Sequence, residues 1–140
     1  MKKRLFSIIM MSIMIFSILP ATVHAAQGET LIPMWDNASQ ITANISFSNG
    51  NGYAEVAILG KSGVTNISVD VRLFYKNATG GWTEIVKDWD YNVNQRMLSI
   101  SESFNADAGR EYKIEVSGTV TQNGYAEDIF KTATAICPRS

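Results

Sequence analysis

Histidine and cysteine are nearly missing from this sequence, with one of each among 140 residues. The single histidine, His24, lies in an N-terminal stretch that reads as a removable signal, so the processed chain has none. That excludes serine or cysteine nucleophiles activated by histidine, histidine general bases and histidine-rich zinc sites. The single cysteine, Cys137, permits no intramolecular disulfide, leaving a free thiol near the chain end or an intermolecular bridge; the free thiol is the preferred reading. No cysteine follows the N-terminal apolar run, so nothing resembles a lipoprotein acylation site. The final residues Ile136-Cys137-Pro138-Arg139-Ser140 carry no sorting motif or apolar tail. Sustained helical periodicity and internal repeats are missing too.

What is present begins with Lys2, Lys3 and Arg4 ahead of an apolar run from Leu5 to Leu19, then Pro20 and the small residues Ala21 to Ala26. This is the pattern of a secretory signal peptide over residues 1–25, cleaved between Ala25 and Ala26. The run is shorter than the roughly 20 residues a membrane-spanning helix needs. Free secretion to the extracellular space is expected, with no membrane association after cleavage. Losing Lys2, Lys3 and Arg4 from twelve cations leaves nine against thirteen Asp and Glu, a net charge of −4. Nucleic acid and anionic lipid require a concentrated basic surface, so neither is expected as a partner. Residues 26–140 suffice for one domain burying around two-thirds of its unfolded surface without covalent staples.

Period-two alternation dominates the rest. Residues 26–40 hold Pro33 and Trp35 with little periodicity and read as a leader docking on the domain at 41–136, with 137–140 as a tail. Ile41 to Phe47 and Tyr53 to Leu59 alternate around Asn49-Gly50, a hairpin signal. The longest alternation sets Ile67, Val69, Val71, Leu73 and Tyr75 against Ser68, Asp70, Arg72, Phe74 and Lys76, as in a central strand. Trp82 to Trp89 has mixed parity, Asp90 to Arg96 reads as a polar loop, and Met97 to Phe104 carries Glu102 out of character on its apolar face. In Ala108 to Val120, Tyr112, Ile114, Val116 and Val120 share a face after the turn Asp107-Ala108-Gly109, and Gly118 signals a bulge or a close backbone approach. A last strand runs from about Glu127 to Ile136. About seven short strands at regular spacing imply an all-β antiparallel sandwich, with a closed barrel as the competing architecture.

A tyrosine opening a late strand after such a turn resembles the tyrosine corner of immunoglobulin- and fibronectin-like sandwiches, whose hydroxyl bonds backbone a few residues upstream; this gives Tyr112 a structural role. Trp35 and Asn37, the Ile67 to Leu73 strand, the spacing of Trp82, Val86 and Trp89, and Gly109 with Tyr112 together resemble a group of small secreted single-domain β-sandwich proteins of Gram-positive bacteria with no characterised function. The resemblance implies a fold and brings no activity, cofactor or site residues.

Three patterns suggest sites. Asp88, Asp90, Asn92 and Asn94 imitate the first half of a helix-loop-helix calcium site, but Val93 stands where glycine is needed and Ser99 where a bidentate glutamate is needed. A sandwich-loop calcium site stays open beside the plain reading of a polar turn. Carboxylate pairs for glycoside hydrolysis could be drawn from Glu84, Asp88, Glu102, Glu111 or Glu115, with nothing to single out a pair. The four sequons beginning at Asn37, Asn44, Asn66 and Asn77 matter only in a eukaryotic secretory pathway. The third pattern is aromatic. Trp82 and Trp89 lie an odd number of positions apart, so a regular strand sends them to opposite faces, and the exposed ring beside Tyr91 would offer a flat binding surface. Trp82, Trp89 and Tyr91 are therefore the ligand-binding candidates. No metal site, no cofactor and no catalysis are expected. The reading is a non-catalytic recognition or interaction module for an extracellular protein or polysaccharide, with a small histidine-independent carbohydrate-active enzyme as the alternative.

The signal-peptide reading makes one prediction. The secreted product begins at Ala26, and intact-mass measurement of protein recovered from the medium checks it; a species retaining Met1 overturns it.

Overall fold

The computed structural model describes residues 34–85 and 89–139, so the signal peptide, the Ala25/Ala26 junction and the first part of the leader lie outside the described residues. Within that range every regular element is a strand: β1 (Ala38–Ser48), β2 (Asn51–Gly60), β3 (Val64–Lys76), β4 (Trp82–Ile85), β5 (Asp90–Val93), β6 (Met97–Asn105), β7 (Glu111–Gln122) and β8 (Tyr125–Ile136). The strands pair antiparallel in two sheets. The smaller has the order β1-β2-β6, and the larger runs β4-β3-β7-β8 with β5 also on β3. The chain changes sheet between β2 and β3, between β5 and β6, and between β6 and β7. This is the immunoglobulin/fibronectin-like sandwich, with the fourth strand position beside β3.

The count of eight has a simple cause. Leu73 pairs with Ile85 and Asp70 with Asp90, so the edge strand spends two more residues than β3 between those pairs. β4 and β5 therefore lie on the same edge of β3, before and after residues 86–88, which counts one edge as two strands, and β5 stands where the sequence reads as a polar loop. Bulged, interrupted edges resist pairing with foreign strands. The first strand also begins at Ala38 rather than Ile41, and the last at Tyr125, directly after its turn. Both tight turns are Asn-Gly with positive φ at each residue, Asn49 (52°) and Gly50 (77°), Asn123 (51°) and Gly124 (78°), the twist that suits a two-residue hairpin.

The alternating residues form the core. Ile67, Val69, Val71 and Leu73 of β3 face Ile114, Val116 and Val120 of β7 within one sheet, and Ile41, Ile45, Val56, Ile58, Leu98 and Ile100 close over them from the other. Gly118 sits inside the β3–β7 ladder opposite Val69, where an added Cβ would come within 2.0 Å of the Ser68 carbonyl oxygen. It marks close approach rather than a bulge. At one end of the sandwich Phe47, Phe104 and Tyr112 pack with centroids 5.1–6.4 Å apart, and Gly52 leaves room for the Phe104 ring. Tyr112 is 1% exposed, and its hydroxyl accepts the Asp107 N–H at 2.8 Å, the tyrosine-corner bond.

Both ends of the described range are tied in. The side-chain amide of buried Asn37 donates to Val120 O (2.7 Å) and Tyr125 O (3.1 Å), and the Asp36 and Asn37 N–H groups donate to the Glu127 carboxylate. Trp35 packs against the core, and its carbonyl accepts from Lys61 Nζ at 2.8 Å. Cys137 is buried, donating its N–H to Arg110 O and accepting from Gly109 N–H. A thiol held there is not placed for an intermolecular bridge.

Removing the corner hydroxyl is expected to destabilise the domain. Tyr112→Phe should lower the unfolding free energy by about 0.5–1.5 kcal/mol without changing the fold, as chemical denaturation can measure. A neutral result would sink the corner assignment.

Candidate functional site: the outer face of the larger sheet

The structure separates the three aromatic candidates. The two-residue insertion is even, so parity survives it: Trp89 is 7% exposed in the core and Trp82 faces outward. Trp82 pairs with Lys76 and stands about 20 Å along β3 from Tyr91, which pairs with Val69. Lys76 and Lys113 place their ammonium groups over the Trp82 ring at 5.7 and 5.0 Å, so it is a cation-covered ring rather than an open platform. Tyr91 faces inward, and its hydroxyl donates a hydrogen bond to Glu102 across the gap between the sheets. This explains Glu102 on the inner face of β6: it anchors the β5 edge to the β6 edge. Burial, followed by the bond to Glu102 and that carboxylate's charge, pushes the Tyr91 phenol up to about 12. The flat aromatic surface beside Tyr91 does not form.

The outer face of the larger sheet is instead mostly a lattice of opposite charges. Arg72 makes a bidentate pair with Glu84 (2.8 and 2.7 Å) and reaches Glu115 at 3.9 Å, and Lys76 pairs with Glu111 at 2.8 Å. Lys113 bonds Glu115, and both Lys113 and Arg72 lie over the Phe74 ring at 4.6 and 5.0 Å, so Phe74 is covered although it points away from the core. The hydrogen bond from Arg72, helped by its charge, holds the Glu84 carboxyl below its usual value. Of the carboxylates considered for paired catalysis, Glu84, Glu111 and Glu115 are in ion pairs and Glu102 is bonded by Tyr91, while Asp88 lies outside the described residues.

Elsewhere on this face two carboxylates meet each other. Asp70 of β3 and Asp90 of β5 are directly opposite each other, and like charges so placed repel. Burial, then the Asp90 carboxylate, raises the Asp70 carboxyl above its usual value of 3.8, with Arg72 pulling the other way. The two border an open trough of about 440 Å³ whose other walls are Ser68, Asn92, Ser117 and Thr119, with the backbone of Val69 and Gly118 exposed between these short side chains. Asn92 accepts from the Asn66 amide at 2.7 Å, and Asn94 accepts from it at 3.0 Å, extending the polar rim. The trough thus offers carboxylates, amides and hydroxyls on a fixed strand framework. Among the described residues no three His, Cys, Asp or Glu side chains converge as metal ligands. Asp70 was invisible as a site residue in the sequence, because its partner depends on the edge-strand insertion; the signal available was an aspartate on the polar phase of a central strand.

No family model matches the chain, and no curated protein matches it. Among solved structures, the solution structure of R. palustris CsgH is similar over 65% of this chain and 88% of that one, with 11% identity and a TM-score of 0.42.

Two titrations test this face and its edge. A raised pKa on Tyr91 means that the folded state holds the proton more tightly than the unfolded one, so its stabilisation is complete below pH 10 and is lost between about 10 and about 12. Tyr91→Phe should flatten the alkaline loss of stability in that window; an unchanged profile would show that the phenol is not the group responsible. The raised Asp70 pKa has the opposite consequence at neutral pH, where the ionised carboxylate costs stability. Asp70→Asn should raise stability at pH 7 by about 0.2–1 kcal/mol, a gain that shrinks as acid protonates the native side chain. Thermal melts across pH measure both, and a destabilised Asp70→Asn protein would contradict the repulsion.

Proposed function

We propose that the protein is a non-catalytic recognition module working outside the cell, and that the polar trough on the larger sheet binds a hydroxyl-rich polysaccharide. The observation carrying this reading is the Asp70–Asp90 opposition. On a face where Glu84, Glu111 and Glu115 are matched by cations, two carboxylates are held against each other at a concavity that short side chains leave open. Surfaces kept for a ligand commonly carry arrangements that cost stability and add no packing. Sugar hydroxyls suit it, because they donate to carboxylates and accept from the side-chain amide and hydroxyl groups of Asn92, Ser117 and Thr119. A volume of about 440 Å³ lies in the range of small-ligand sites. The trough is open, which favours a segment of a polymer lying across it and disfavours an enclosed reaction. The apolar N-terminal run, the acidic charge of residues 26–140 and the resemblance to secreted Gram-positive sandwich proteins support the extracellular setting.

The test is a binding screen of the protein against glycan arrays and purified cell-wall polymers, followed by variants. Asp70→Asn and Asp90→Asn should each weaken binding at least tenfold while leaving stability equal or higher, whereas Trp82→Ala should leave binding within about twofold. Binding that survives both aspartate variants, or capture of basic peptides with no glycan retained, rejects this assignment.

A further inference from the structure

The free edge of β8 has a definite backbone polarity. Cys137, one residue beyond the strand, directs its N–H at Arg110 O (2.9 Å) and its C=O at Gly109 N–H (2.8 Å). Hydrogen-bonding direction alternates along a strand, so the odd-numbered residues of β8 turn toward β7. The even-numbered Phe130, Thr132, Thr134 and Ile136 present their N–H and C=O groups outward. The two-residue turn at Asn123-Gly124, closed by the Gln122–Tyr125 pair, gives the same phase.

The β4–β5 and β1 edges are irregular in ways that this one is not, while Lys131 gives β8 an inward-phase charge as Glu102 gives β6. The β4–β5 edge contains the two-residue insertion, β1 shifts register between Ala38 and Gln40, and β6 carries the inward carboxylate of Glu102. β8 keeps an unshifted register with β7 from Tyr125 to Ile136. Its first half is partly covered by the leader, whose Asp36 and Asn37 amides hold Glu127. Its second half, Phe130-Lys131-Thr132-Ala133-Thr134-Ala135-Ile136, has one charge and no proline or glycine, and Phe130 and Ile136 are 58% and 63% exposed on the outer face.

We infer that the protein self-associates through this half-strand: β8 of one copy pairs antiparallel with β8 of a second copy about a two-fold axis at Ala133, joining the two larger sheets into one. The register follows from the side chains. With the axis at Ala133, Phe130 of each copy lies opposite Ile136 of the other and Thr132 opposite Thr134, so the exposed apolar groups cover one another and the outward backbone groups form about eight hydrogen bonds. Lys131 then lies opposite Ala135. An axis at Lys131 would oppose the two ammonium groups, and an axis at Ala135 would leave Phe130 without Ile136. The contact is isologous and closes at two copies, and in that way it removes an otherwise adhesive edge. One strand's width buries less than the ~1,200 Å² of a standard interface, so the dimer is a weak one that forms at high concentration. The trough runs across β5, β3 and β7 on the outer face, and pairing at the β8 edge extends the sheet without covering that face.

Sedimentation equilibrium on the purified protein up to about 200 µM, a range suited to a weak interface, tests the inference. The expected result is a rise in average mass toward twice the monomer, abolished by Phe130→Lys with an unchanged melting temperature. Thr132→Pro, which removes an outward N–H, should also abolish it if Phe130→Lys proves unstable. Ala133→Cys should cross-link to a dimer on mild oxidation, because opposed residues at the axis lie within disulfide reach. A protein monomeric over the whole range, a dimer that survives both Phe130→Lys and Thr132→Pro, or a dimer that Ala133→Cys fails to cross-link would overturn the assignment.

Discussion

The pairing of β3 with β7 is the contact on which the other features of this domain depend. Both strands are interior to the larger sheet, their inward residues are almost wholly buried, and they hold register over most of their length. A one-residue slip would send Ile67, Val69, Val71 and Leu73 to solvent, so the apolar phase of two central strands fixes the register of the whole sheet. Gly118 is the point of least tolerance, because the two backbones come so near there that any side chain would meet the Ser68 carbonyl. From this ladder the rest takes its place. Tyr112 stands at one end to anchor the turn from β6, the trough lies over the stretch beside Gly118, and the two edges are set one strand away on either side.

Charge on the outer face follows from the same register. Arg72, Glu84 and Glu115 come together because β3 sits between β4 and β7, and Lys76 meets Glu111 for the same reason. Exposed pairs of this kind contribute little each, about 0–1 kcal/mol, so their worth lies in agreeing with the pairing that the core dictates. The aliphatic stems and cationic heads of Lys113 and Arg72 also cover Phe74, which allows an aromatic residue to sit on the polar phase of a central strand. Against this matched lattice the Asp70–Asp90 pair sets two like charges opposite each other, with Arg72 offsetting part of their repulsion.

Much of the fold was legible in the sequence because its determinants are local. Alternation identifies β3 and β7, Asn-Gly identifies two hairpins, and a tyrosine after Asp107-Ala108-Gly109 identifies the corner. The site was less legible because its determinants are relational. Nothing near Tyr91 shows that its hydroxyl will meet Glu102 from the other sheet, although Glu102 on an apolar phase was a sign that some partner existed. Likewise, the opposition of Asp70 and Asp90 depends on how many residues the edge strand spends between Ile85 and Asp90. The parity argument for the tryptophans did hold, since it needs only that the insertion be even. Parity says nothing, however, of the Lys76 and Lys113 ammonium groups that lie over the ring left outside.

The insertion and the straight β8 edge give the two sides of the larger sheet different physical characters. On the β4–β5 side, the chain spends two residues more than β3 between Ile85 and Asp90 while Ile85, Trp89 and Tyr91 all stay turned inward, so the edge shifts register at no loss of core. A one-residue bulge would have shifted it too, but by reversing the parity beyond it and driving Trp89 and Tyr91 into solvent. An even insertion thus meets two demands that a single bulge sets against each other. The same side can therefore carry the trough, where an unpaired strand edge beside an open ligand site would invite nonspecific pairing. On the β8 side no such device is present past Lys131. Regular backbone, β-branched and apolar residues and outward hydrogen-bonding groups continue to Ile136, a combination whose stable resting place is another strand of matching phase.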